Sequence, residues 1–553
     1  MLSSLGFWYE RDGYDTSMPR LMGRQAAGEA FLKSLLRNSS AGQLFCVAPS
    51  REEYLDFKQR AAAWNCKSDI EFLLGDNPEF LAQAKVIYRP DTGLADMAWL
   101  RRFANQRLYS LCGVTHTICT RDVMRQFGQL ATAPLQRWDA LICTSSAVKT
   151  AMERMLGEWN EYLERLSGGK FPRALKLPLI PLGVDARAFP SAAEPLRSQV
   201  RAALGIGEGD IVVLYVGRLN FYAKAHAVPM YQAVERAARA TGRKLALLQV
   251  GWFSQEAEER ASKLSAATFC PNVRCLFLDG RDAAIRQQSW SVSDIFVSLS
   301  DNIQETFGLT PLEAMAAGLP VICSDWNGYQ ETVRHEIDGF RAPTTIPPPG
   351  AGLELAQGYL SSHLPTDAYL GFTSLATAVD TDAVVQFLVT LITQDELRIR
   401  MGSAGRERAQ SEFDWPVIIR RYEALWQELD ELRRTAPEVA PVSNGESPYP
   451  LCDDPFRTFG HYTHRHLSPE TVVSLGQSGT PDQVDMLLAD ITVTFGPKSR
   501  VSQDEFLDIV NYVHKVGSTP LARLLEAFPT REASLYRTIG WLLKFGILRK
   551  VDS

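Results

Sequence analysis

Two carboxylates flank the segment of the chain that gives the strongest indication of a ligand-binding site. The segment Glu305-Thr-Phe-Gly-Leu-Thr-Pro-Leu-Glu313 follows an apolar run at 295–299. Its residue types predict a loop that turns into a helix, with Gly308 allowing close backbone approach, Thr310 as N-cap and Pro311 at the first helical position. The first N–H groups of a helix lack partners within it and lie at the positive end of its dipole. The pattern therefore predicts a phosphate site.

The same residues allow a purely structural interpretation. Thr310 with Glu313 fits a capping box, which occurs in helices that bind nothing, and Gly318 with Pro320 predicts the end of the helix. Glu305, however, comes just after a predicted strand. It would stand at the carboxyl end of a parallel strand, where open α/β sheets bind ligands. That position favours the binding site.

Length and composition limit the kind of protein. With 553 residues the chain should form about three or four domains. A net charge of −6 argues against a general binder of nucleic acid or of membrane surfaces, since no basic excess is available to neutralise phosphates. No apolar run approaches the roughly 18 residues that cross a bilayer, and the N-terminus lacks a signal-peptide pattern. These features predict a soluble, cytoplasmic protein.

Cysteine and histidine usage predicts neither disulfides nor a metal. The nine cysteines are odd in number and scattered, several within apolar strand patterns, which favours buried free thiols. His461, His464 and His466 lie close in sequence, yet only Asp454 stands near enough to add a further ligand. A tetrahedral metal set is therefore disfavoured.

Alternating strand and helix patterns predict two Rossmann-like domains in tandem. In the second domain the predicted strands are 211–216, 245–250, 273–278, 295–299 and 320–324. In the first domain they are 44–47, 86–89, 111–115, 140–144 and 179–182. The segment Pro181-Leu-Gly-Val-Asp185 is predicted to cross between them, leaving a cleft for a ligand.

The remaining sequence has a different character. A Pro- and Gly-containing stretch at 346–380 predicts a loop-rich insertion, a helical region covers 382–434, and 435–450 reads as linker. The end of the chain resembles the helix-turn-helix of winged-helix domains. From residue 471 onward nine Lys and Arg balance nine Asp and Glu. A net charge of zero does not favour DNA binding. A protein-interaction or stabilising role is favoured.

Several motifs in the right order resemble one family over residues 1 to about 430. The glutamate pair with seven residues between matches a paired-glutamate motif of retaining, nucleotide-sugar glycosyltransferases of the GT-B fold, family four. Tyr215-Val-Gly-Arg-Leu matches the family's strand end, and Lys224 stands as its basic partner. The further matches are Pro181–Asp185, Asp139-Ala-Leu-Ile-Cys-Thr-Ser and Gly328-Tyr-Gln-Glu331.

The chain departs from the family pattern in two respects. Five residues, rather than the commoner four, separate Arg218 from Lys224, and Ala225-His226 replaces the glycine that usually follows the lysine. The insertion near 350 and the terminal module lie outside the family core.

The resemblance implies an α/β, GT-B architecture with two Rossmann-like domains facing a cleft, to which the sequence patterns add a small, mainly helical C-terminal domain. Together they predict an acceptor domain at 1–184, a donor domain at 185–395, helices packing back at 396–434, a linker at 435–466 and a winged-helix-like module at 467–553.

The resemblance also implies roles for particular residues. Arg218 and Lys224 would stabilise the charge that grows on a leaving diphosphate. Glu305 and His116 would contact the donor sugar and Glu313 its ribose hydroxyls. The other implied donor-side residues are Gly217, Phe307, Gly308, Leu309 and Thr310, and the implied acceptor-side residues are Gly23 and Arg24, at the end of the segment Asp15-Thr-Ser-Met-Pro-Arg-Leu-Met-Gly23-Arg24.

The leading hypothesis is transfer of a sugar from a nucleotide-diphosphate sugar, a UDP-sugar first, to a glycan, lipid-linked or protein acceptor with retention and without metal or other cofactor. Bacterial surface polysaccharide synthesis is a common use of the family. A sugar-nucleotide epimerase or phosphorylase, and a regulatory protein acting through residues 467–553, are the alternatives. Peripheral membrane association and a protein partner for that module stay open.

Overall fold

The computed structural model describes residues 2–16, 23–66, 70–171, 174–189, 194–496, 499–529 and 532–551. The chain divides into two compact units, Met1–Tyr449 and Pro450–Ser553. The first unit contains two Rossmann-like domains of the GT-B fold, each with six parallel strands.

The first domain is a parallel sheet in the order β3-β2-β1-β4-β5-β6. Its strands are β1 (Ser4–Trp8), β2 (Gln43–Ala48), β3 (Ile70–Leu74), β4 (Val86–Tyr88), β5 (Ser110–Val114) and β6 (Ala140–Ile142). Its helices are α1 (Gly23–Asn38), α2 (Arg51–Ala63), α3 (Pro78–Leu81), α4 (Leu94–Arg102), α5 (Arg121–Thr132) and α6 (Ser146–Ser167). Helices α2 and α6 begin where the hydroxyls of Ser50 and Ser145 accept hydrogen bonds from N–H groups of the first turn.

The second domain repeats this plan in the order β12-β11-β10-β7-β8-β9. Its strands are β7 (Ile211–Val216), β8 (Leu245–Gly251), β9 (Arg274–Asp279), β10 (Ile295–Ser298), β11 (Val321–Ser324) and β12 (Gly339–Ala342). Its first helices are α7 (Glu194–Ala203), α8 (Ala227–Thr241), α9 (Glu256–Phe269), α10 (Ala283–Val292), α11 (Leu309–Ala317) and α12 (Tyr329–Thr332). Strands β7, β8, β10 and β11 are buried along their whole length, as expected of strands covered on both faces.

Residues 346–380 form helices, so the prediction of a loop-rich insertion is wrong. The insertion holds α13 (Leu353–Leu360) and α14 (Thr366–Leu375), and the short strands β13 (Thr344–Thr345) and β14 (Ala378–Val379) pair at its base. The ring of Tyr359 stacks on that of Tyr369 at 4.3 Å between centroids. Tertiary packing of this kind stabilises helices that are too short to persist alone.

The chain crosses between the two domains twice, along neighbouring paths. In the region of the two crossings, the N–H of Val184 donates to the Phe413 carbonyl at 2.9 Å and the N–H of Trp415 donates to the Val184 carbonyl at 3.1 Å. After α15 (Thr381–Thr393) and α16 (Asp395–Glu412), helix α17 (Trp415–Thr435) returns to the first domain, where Tyr422 and Trp426 join its core. A side chain at Gly183 would lie 2.5 Å from the Trp415 ring, so glycine permits the close crossing.

The chain beyond α17 also belongs to the first unit. Arg102 donates to the Pro448 carbonyl at 2.8 Å, Gln136 contacts Val439, and the ring of Trp99 stacks on Tyr449 at 4.4 Å. Residues 436–449 are therefore held to the first domain. They form the first part of the linker predicted over 435–466, and those bounds stay a prediction.

The second unit is mainly helical. Its strands β15 (Val472–Leu475), β16 (Thr519–Pro520) and β17 (Leu548–Lys550) form an antiparallel sheet in the order β16-β15-β17. Its helices are α18 (Pro455–Thr458), α19 (Pro481–Ala489), α20 (Gln503–Val516), α21 (Leu521–Ala527) and α22 (Glu532–Lys544). Residues Val473, Ile509, Leu524 and Ile539 are among its core. The winged-helix assignment stays a prediction.

Nine of the ten predicted strands overlap an observed strand. The exception is 179–182, which is wrong: Leu179 forms only an isolated bridge to Cys143. Of the strands in the two parallel sheets, the sequence patterns missed β1, β3 and β12. All nine cysteines, each within the described residues, are free thiols, and six of them are buried. None of the described helices is long and apolar enough to cross a membrane.

Candidate active site

Helix α11 begins two residues before the position that the capping pattern predicts. Gly308 is its N-cap, with φ of +88°, and Leu309 is its first residue. Thr310 and Pro311 therefore lie inside the first turn, and the predicted capping box is wrong. The physical reason is that glycine reaches this left-handed conformation without strain and turns the chain early. Because glycine offers no side-chain acceptor, the first-turn N–H groups lack a side-chain cap and are available to an anion.

Close packing fixes the start of α11. A side chain at Gly308 would come within 2.0 Å of Cε1 of Tyr329, and one at Gly328 within 2.5 Å of the Phe307 Cα. The Tyr329 hydroxyl is 2.9 Å from Oγ of Ser298, at the end of β10. The loops after β10 and β11 therefore touch almost backbone to backbone, at the carboxyl edge of the sheet.

Two cations reach this edge from the loop after β7. Arg218 donates to Oε1 of Gln304 at 3.1 Å, and Nζ of Lys224 lies 2.7 Å from Oε2 of Glu305. Despite the extra residue between them, both side chains arrive beside the paired-glutamate segment. The arrangement brings two cations, one of them paired with Glu305, to the loop that precedes α11.

Glu305 is ionised and held in place. Burial opposes its charge, but Lys224 and the N–H groups of Thr306 and Phe307 outweigh burial, so the pKa of Glu305 lies below its usual value. Its backbone carbonyl accepts a hydrogen bond from the Asn327 side chain. A carboxylate fixed in this way can accept hydrogen bonds from hydroxyl groups.

Glu313 lies one turn into α11 and has a different environment. Burial raises its pKa to about 7, although Arg286 and Lys224 act in the opposite direction. Among the described residues no side chain or backbone group forms a hydrogen bond with its carboxyl group. Its protonation therefore changes near neutral pH.

His116 follows β5 at the carboxyl edge of the first sheet. Its Nε2 donates to the Pro90 carbonyl at 2.9 Å. Burial and the nearby positive charge of Arg24 lower the pKa of His116 to about 4, so the ring is neutral at pH 7. Cys119, three residues later, packs against Ala223 in the loop that carries Lys224, which brings the His116 segment to the donor-side loop.

The two domains meet through the start of α6. Oγ of Ser145 donates to the Thr306 carbonyl at 2.8 Å, and the N–H of Ser146 donates to the Glu331 carboxylate. These contacts join the first domain to both loops that surround the start of α11. The cleft between the sheets is closed at this point.

The remaining predicted residues are distributed around the cleft. Phe307 is buried in the core of the second domain, with its ring 6.3 Å from that of Phe413, so only its backbone can face a ligand. Leu309 and Thr310 are half-buried in the first turn of α11. A Cβ added at Gly251 would lie 1.8 Å from the carbonyl oxygen of Gly217, so the backbones of these two glycines are in direct contact.

On the acceptor side, Gly23 and Arg24 open helix α1, and Arg24 pairs with Asp12 at 2.5 Å. A side chain at Gly23 would meet nothing within 4 Å in the described part of the chain, so its packing does not require glycine. Residues 17–22 of the predicted acceptor loop lie outside the described residues. In the parts of the chain that the structure describes, no group of three His, Cys, Asp or Glu residues is placed to hold a metal ion.

The sequence patterns did not single out Gln304 or Asn327, and they used Ser145 only as the end of a motif. The first two lie within or beside the recognised motifs, in the loops that follow β10 and β11. Their position after strands with a common carboxyl edge was the signal that could have found them.

Known proteins resemble this chain over part of its sequence. Residues 197–347 match the family model described as Glycosyl transferases group 1. D-inositol 3-phosphate glycosyltransferase of Nocardia farcinica is 31% identical over 167 residues, which are 30% of this chain and 36% of that protein. N-acetyl-alpha-D-glucosaminyl L-malate synthase of Bacillus anthracis is 23% identical over 232 residues, which are 42% and 49%. The chain thus matches about a third of the length of the first of these relatives.

Solved structures resemble both domains together. HepE of Anabaena in complex with UDP superposes with a TM-score of 0.50 at 15% identity, over 77% of this chain and 100% of that one. A glycosyltransferase from Rickettsia africae gives 0.51 at 13% identity, over 77% and 98%. At these identities the likeness concerns the fold. Residues 197–347, which match the Glycosyl transferases group 1 model, contain the uncapped helix start and both cations, and the chain has the GT-B fold.

Proposed function

We propose that the protein is a retaining glycosyltransferase that takes its sugar from a UDP-sugar. The observation that carries the proposal is the Lys224–Glu305 pair beside the uncapped start of α11. The pair offers a cation for a diphosphate and a carboxylate for sugar hydroxyls, and the start of α11 adds uncapped N–H groups for the diphosphate. The matched family model and the structures named as complexes with UDP or UDP-glucose support it.

The residues of the site would act on the bond between the anomeric carbon and the diphosphate. As that bond breaks, the electron pair moves to the phosphate oxygen, and Arg218, Lys224 and the N–H groups of α11 stabilise the growing negative charge. The acceptor hydroxyl oxygen bonds to the anomeric carbon, and its proton leaves to the diphosphate. Glu305 would orient the sugar. Because the cations neutralise the leaving group, the reaction needs no metal.

The acceptor would approach along the carboxyl edge of the first sheet, past His116 and Arg24. A neutral His116 ring can exchange hydrogen bonds with hydroxyl groups without adding charge. A glycan, a lipid-linked sugar and a protein all carry hydroxyl groups that could serve as the acceptor. Synthesis of surface polysaccharide is the proposed biological process.

Calorimetric titration with UDP, GDP, ADP and CMP, in buffer with chelator, tests the donor site. We expect UDP to bind with a Kd in the micromolar range, which corresponds to about 8 kcal/mol, and to bind tightest of the four. Binding of none would contradict the proposal. Product analysis by NMR then separates transfer, which releases UDP and a glycoside, from epimerisation, which leaves the nucleotide-sugar bond intact.

The raised pKa of Glu313 gives a pH-dependent prediction. A carboxylate accepts hydrogen bonds from the ribose hydroxyls better than a carboxylic acid does, so UDP affinity should rise as the pH passes about 7. Glu313→Gln should bind UDP roughly tenfold more weakly at pH 8, as expected for a charged hydrogen bond. Its affinity should lack that part of the pH dependence.

The protonation of UDP itself affects wild type and Glu313→Gln equally. The difference between their curves of UDP affinity against pH therefore reports the ionisation of Glu313. Parallel curves for wild type and Glu313→Gln would contradict the prediction.

The same pKa shift affects stability. Ionising the buried Glu313 carboxyl group destabilises the fold, and this cost is absent below the usual pKa of 4.5 and complete above about 7. Glu313→Gln should therefore melt higher than wild type at pH 8.

A further inference from the structure

Three consecutive polar residues follow β10 and take no part in the mechanism above. Ser300, Asp301 and Asn302 are each at most 4% exposed. The Ser300 carbonyl accepts from the hydroxyl of Ser324 at 2.6 Å, and the Asn302 carbonyl accepts from Nε1 of Trp326 at 3.0 Å. Both partners belong to the end of β11 and the loop after it, so the three residues are tied to the sheet.

All three side chains hold the backbone of the loop that carries Lys224. The Asn302 side chain donates to the Tyr222 carbonyl at 2.7 Å, and Oγ of Ser300 donates to the Lys224 carbonyl at 3.2 Å. Oδ2 of Asp301 accepts from the N–H of His226 at 3.2 Å. Lys224 therefore has a bond on its own carbonyl and bonds on residues two positions to either side.

Helix α14 of the insertion completes this support. Oγ of Ser374 donates to Oδ1 of Asp301 at 2.7 Å, so both carboxylate oxygens have a donor. Leu370 packs with Ala223 and Cys119, and a side chain at Gly371 would lie 3.0 Å from Cβ of Tyr222. The insertion thus contacts the Lys224 loop directly and reaches it again through Asp301.

The insertion also contacts the first domain. The N–H of Arg121, at the start of α5, donates to the Tyr359 hydroxyl at 2.8 Å, and its guanidinium donates to Ser362 at 2.8 Å and lies 4.7 Å from the centre of the Tyr359 ring. Helices α13 and α14 are therefore fixed at both sides of the cleft. Ser374 is a fixed point for Asp301 rather than part of a loosely attached loop.

We propose that Asp301 is a positioning residue for Lys224 and that Ser374 of the insertion holds Asp301 for this task. The inference rests on the proposed function, because it assigns Lys224 to the diphosphate. The loop from Phe221 to His226 forms turns without regular secondary structure, so its backbone position depends on these bonds and on those that Asn220 accepts from the N–H groups of Tyr222 and Ala223. A displacement of about 1 Å is enough to weaken a charged contact severely.

The test combines two measurements on the full chain. In the absence of nucleotide, Asp301→Asn should raise amide hydrogen exchange over residues 222–226 by roughly tenfold, as expected for the loss of one hydrogen bond to a charged group. With UDP, Asp301→Asn should weaken binding by roughly tenfold and Ser374→Ala by roughly threefold. Neither variant changes a group that would touch the nucleotide.

A double-mutant cycle separates positioning from general damage. In a Lys224→Ala background, Asp301→Asn should weaken UDP binding no further, because the group that Asp301 positions is gone. Asp294→Asn is the matched control. Asp294 precedes the same strand at its other end, where it binds Arg197 and Arg201, so its loss should lower the melting temperature and leave UDP affinity unchanged.

The outcomes distinguish the two proposals. Additive effects of Asp301→Asn and Lys224→Ala, or unchanged exchange over 222–226, would overturn the positioning role alone. Faster exchange with unchanged UDP affinity would show that Asp301 holds the loop but that Lys224 does not bind the diphosphate, which overturns this inference together with the Lys224 assignment. If Asp301→Asn does not fold, Ser374→Ala in the same cycle decides.

Discussion

Replacing Lys224 with alanine is expected to lower kcat by about 10²- to 10³-fold, the size of the loss when one donor to a developing negative charge is removed. Lys224 already pairs with Glu305 at 2.7 Å, so its ammonium group is in place before the leaving-group charge develops. UDP affinity should fall as well, by about 10- to 100-fold, as expected for a hydrogen bond between charged groups. Turnover and calorimetric titration measure the two effects.

Lys263→Ala is the matched control for this loss. Lys263 pairs with Glu259 at the same distance of 2.7 Å, on the exposed face of α9, so the control breaks an ion pair of the same chemistry away from the cleft. Exposed pairs contribute about 0 to 1 kcal/mol. We expect wild-type turnover and UDP affinity in Lys263→Ala, and equal behaviour of the two variants would remove Lys224 from the site.

Lys224→Arg probes whether charge or geometry matters. The planar guanidinium keeps the charge but does not reproduce the compact ammonium, and the carbonyl of residue 224 is held by Ser300. We expect a partial recovery of UDP affinity and a smaller recovery of turnover. Full recovery of both would mean that only the charge near α11 is required.

The central strands of the second domain could be predicted because they are buried on both faces. Strands β7 and β8 are continuous apolar runs, and a short apolar run between helical patterns is typical of a buried parallel strand. Strand β1 lies at the centre of the first sheet and was missed, since Gly6 interrupts it. The reason for that glycine is tertiary: a side chain there would lie 3.0 Å from both Ala84 and Val47.

In the candidate site too, residue types predicted some features, whereas others depend on tertiary packing. The residue types of the 305–313 segment predicted a phosphate-binding helix start, yet they placed that start at Thr310. Local propensity favoured Thr310 and Pro311, whereas the left-handed turn at Gly308 depends on packing against Tyr329. The bonds from Ser300, Asp301 and Asn302 to the Lys224 loop join segments about 80 residues apart in sequence, and spacing along the chain carries no signal for them.

Gly308→Ala should disable the donor site and destabilise the second domain. An alanine there would have to adopt φ of +88°, at a cost of about 1 to 2 kcal/mol, and its Cβ would lie 2.0 Å from Tyr329. Relief of that overlap moves Tyr329 or the start of α11, at a further cost of about 1 to 3 kcal/mol. We expect UDP binding to fall below detection and the melting temperature to drop by roughly 5 to 15 °C.

Gly318→Ala provides the control that separates backbone strain from the clash. Gly318 ends the same helix with nearly the same φ, +82°, but a Cβ there would meet no atom closer than Arg406 Cδ at 3.8 Å among the described residues. It should therefore show the conformational cost alone, a drop of about 2 to 4 °C per kcal/mol, with UDP affinity intact. Equal melting temperatures and intact UDP binding in both variants would mean that the loop at Gly308 can relax, and that close packing against Tyr329 does not form the donor site. A selective loss in Gly308→Ala would instead show that contact between the loops after β10 and β11 holds the N-terminus of α11 toward the diphosphate.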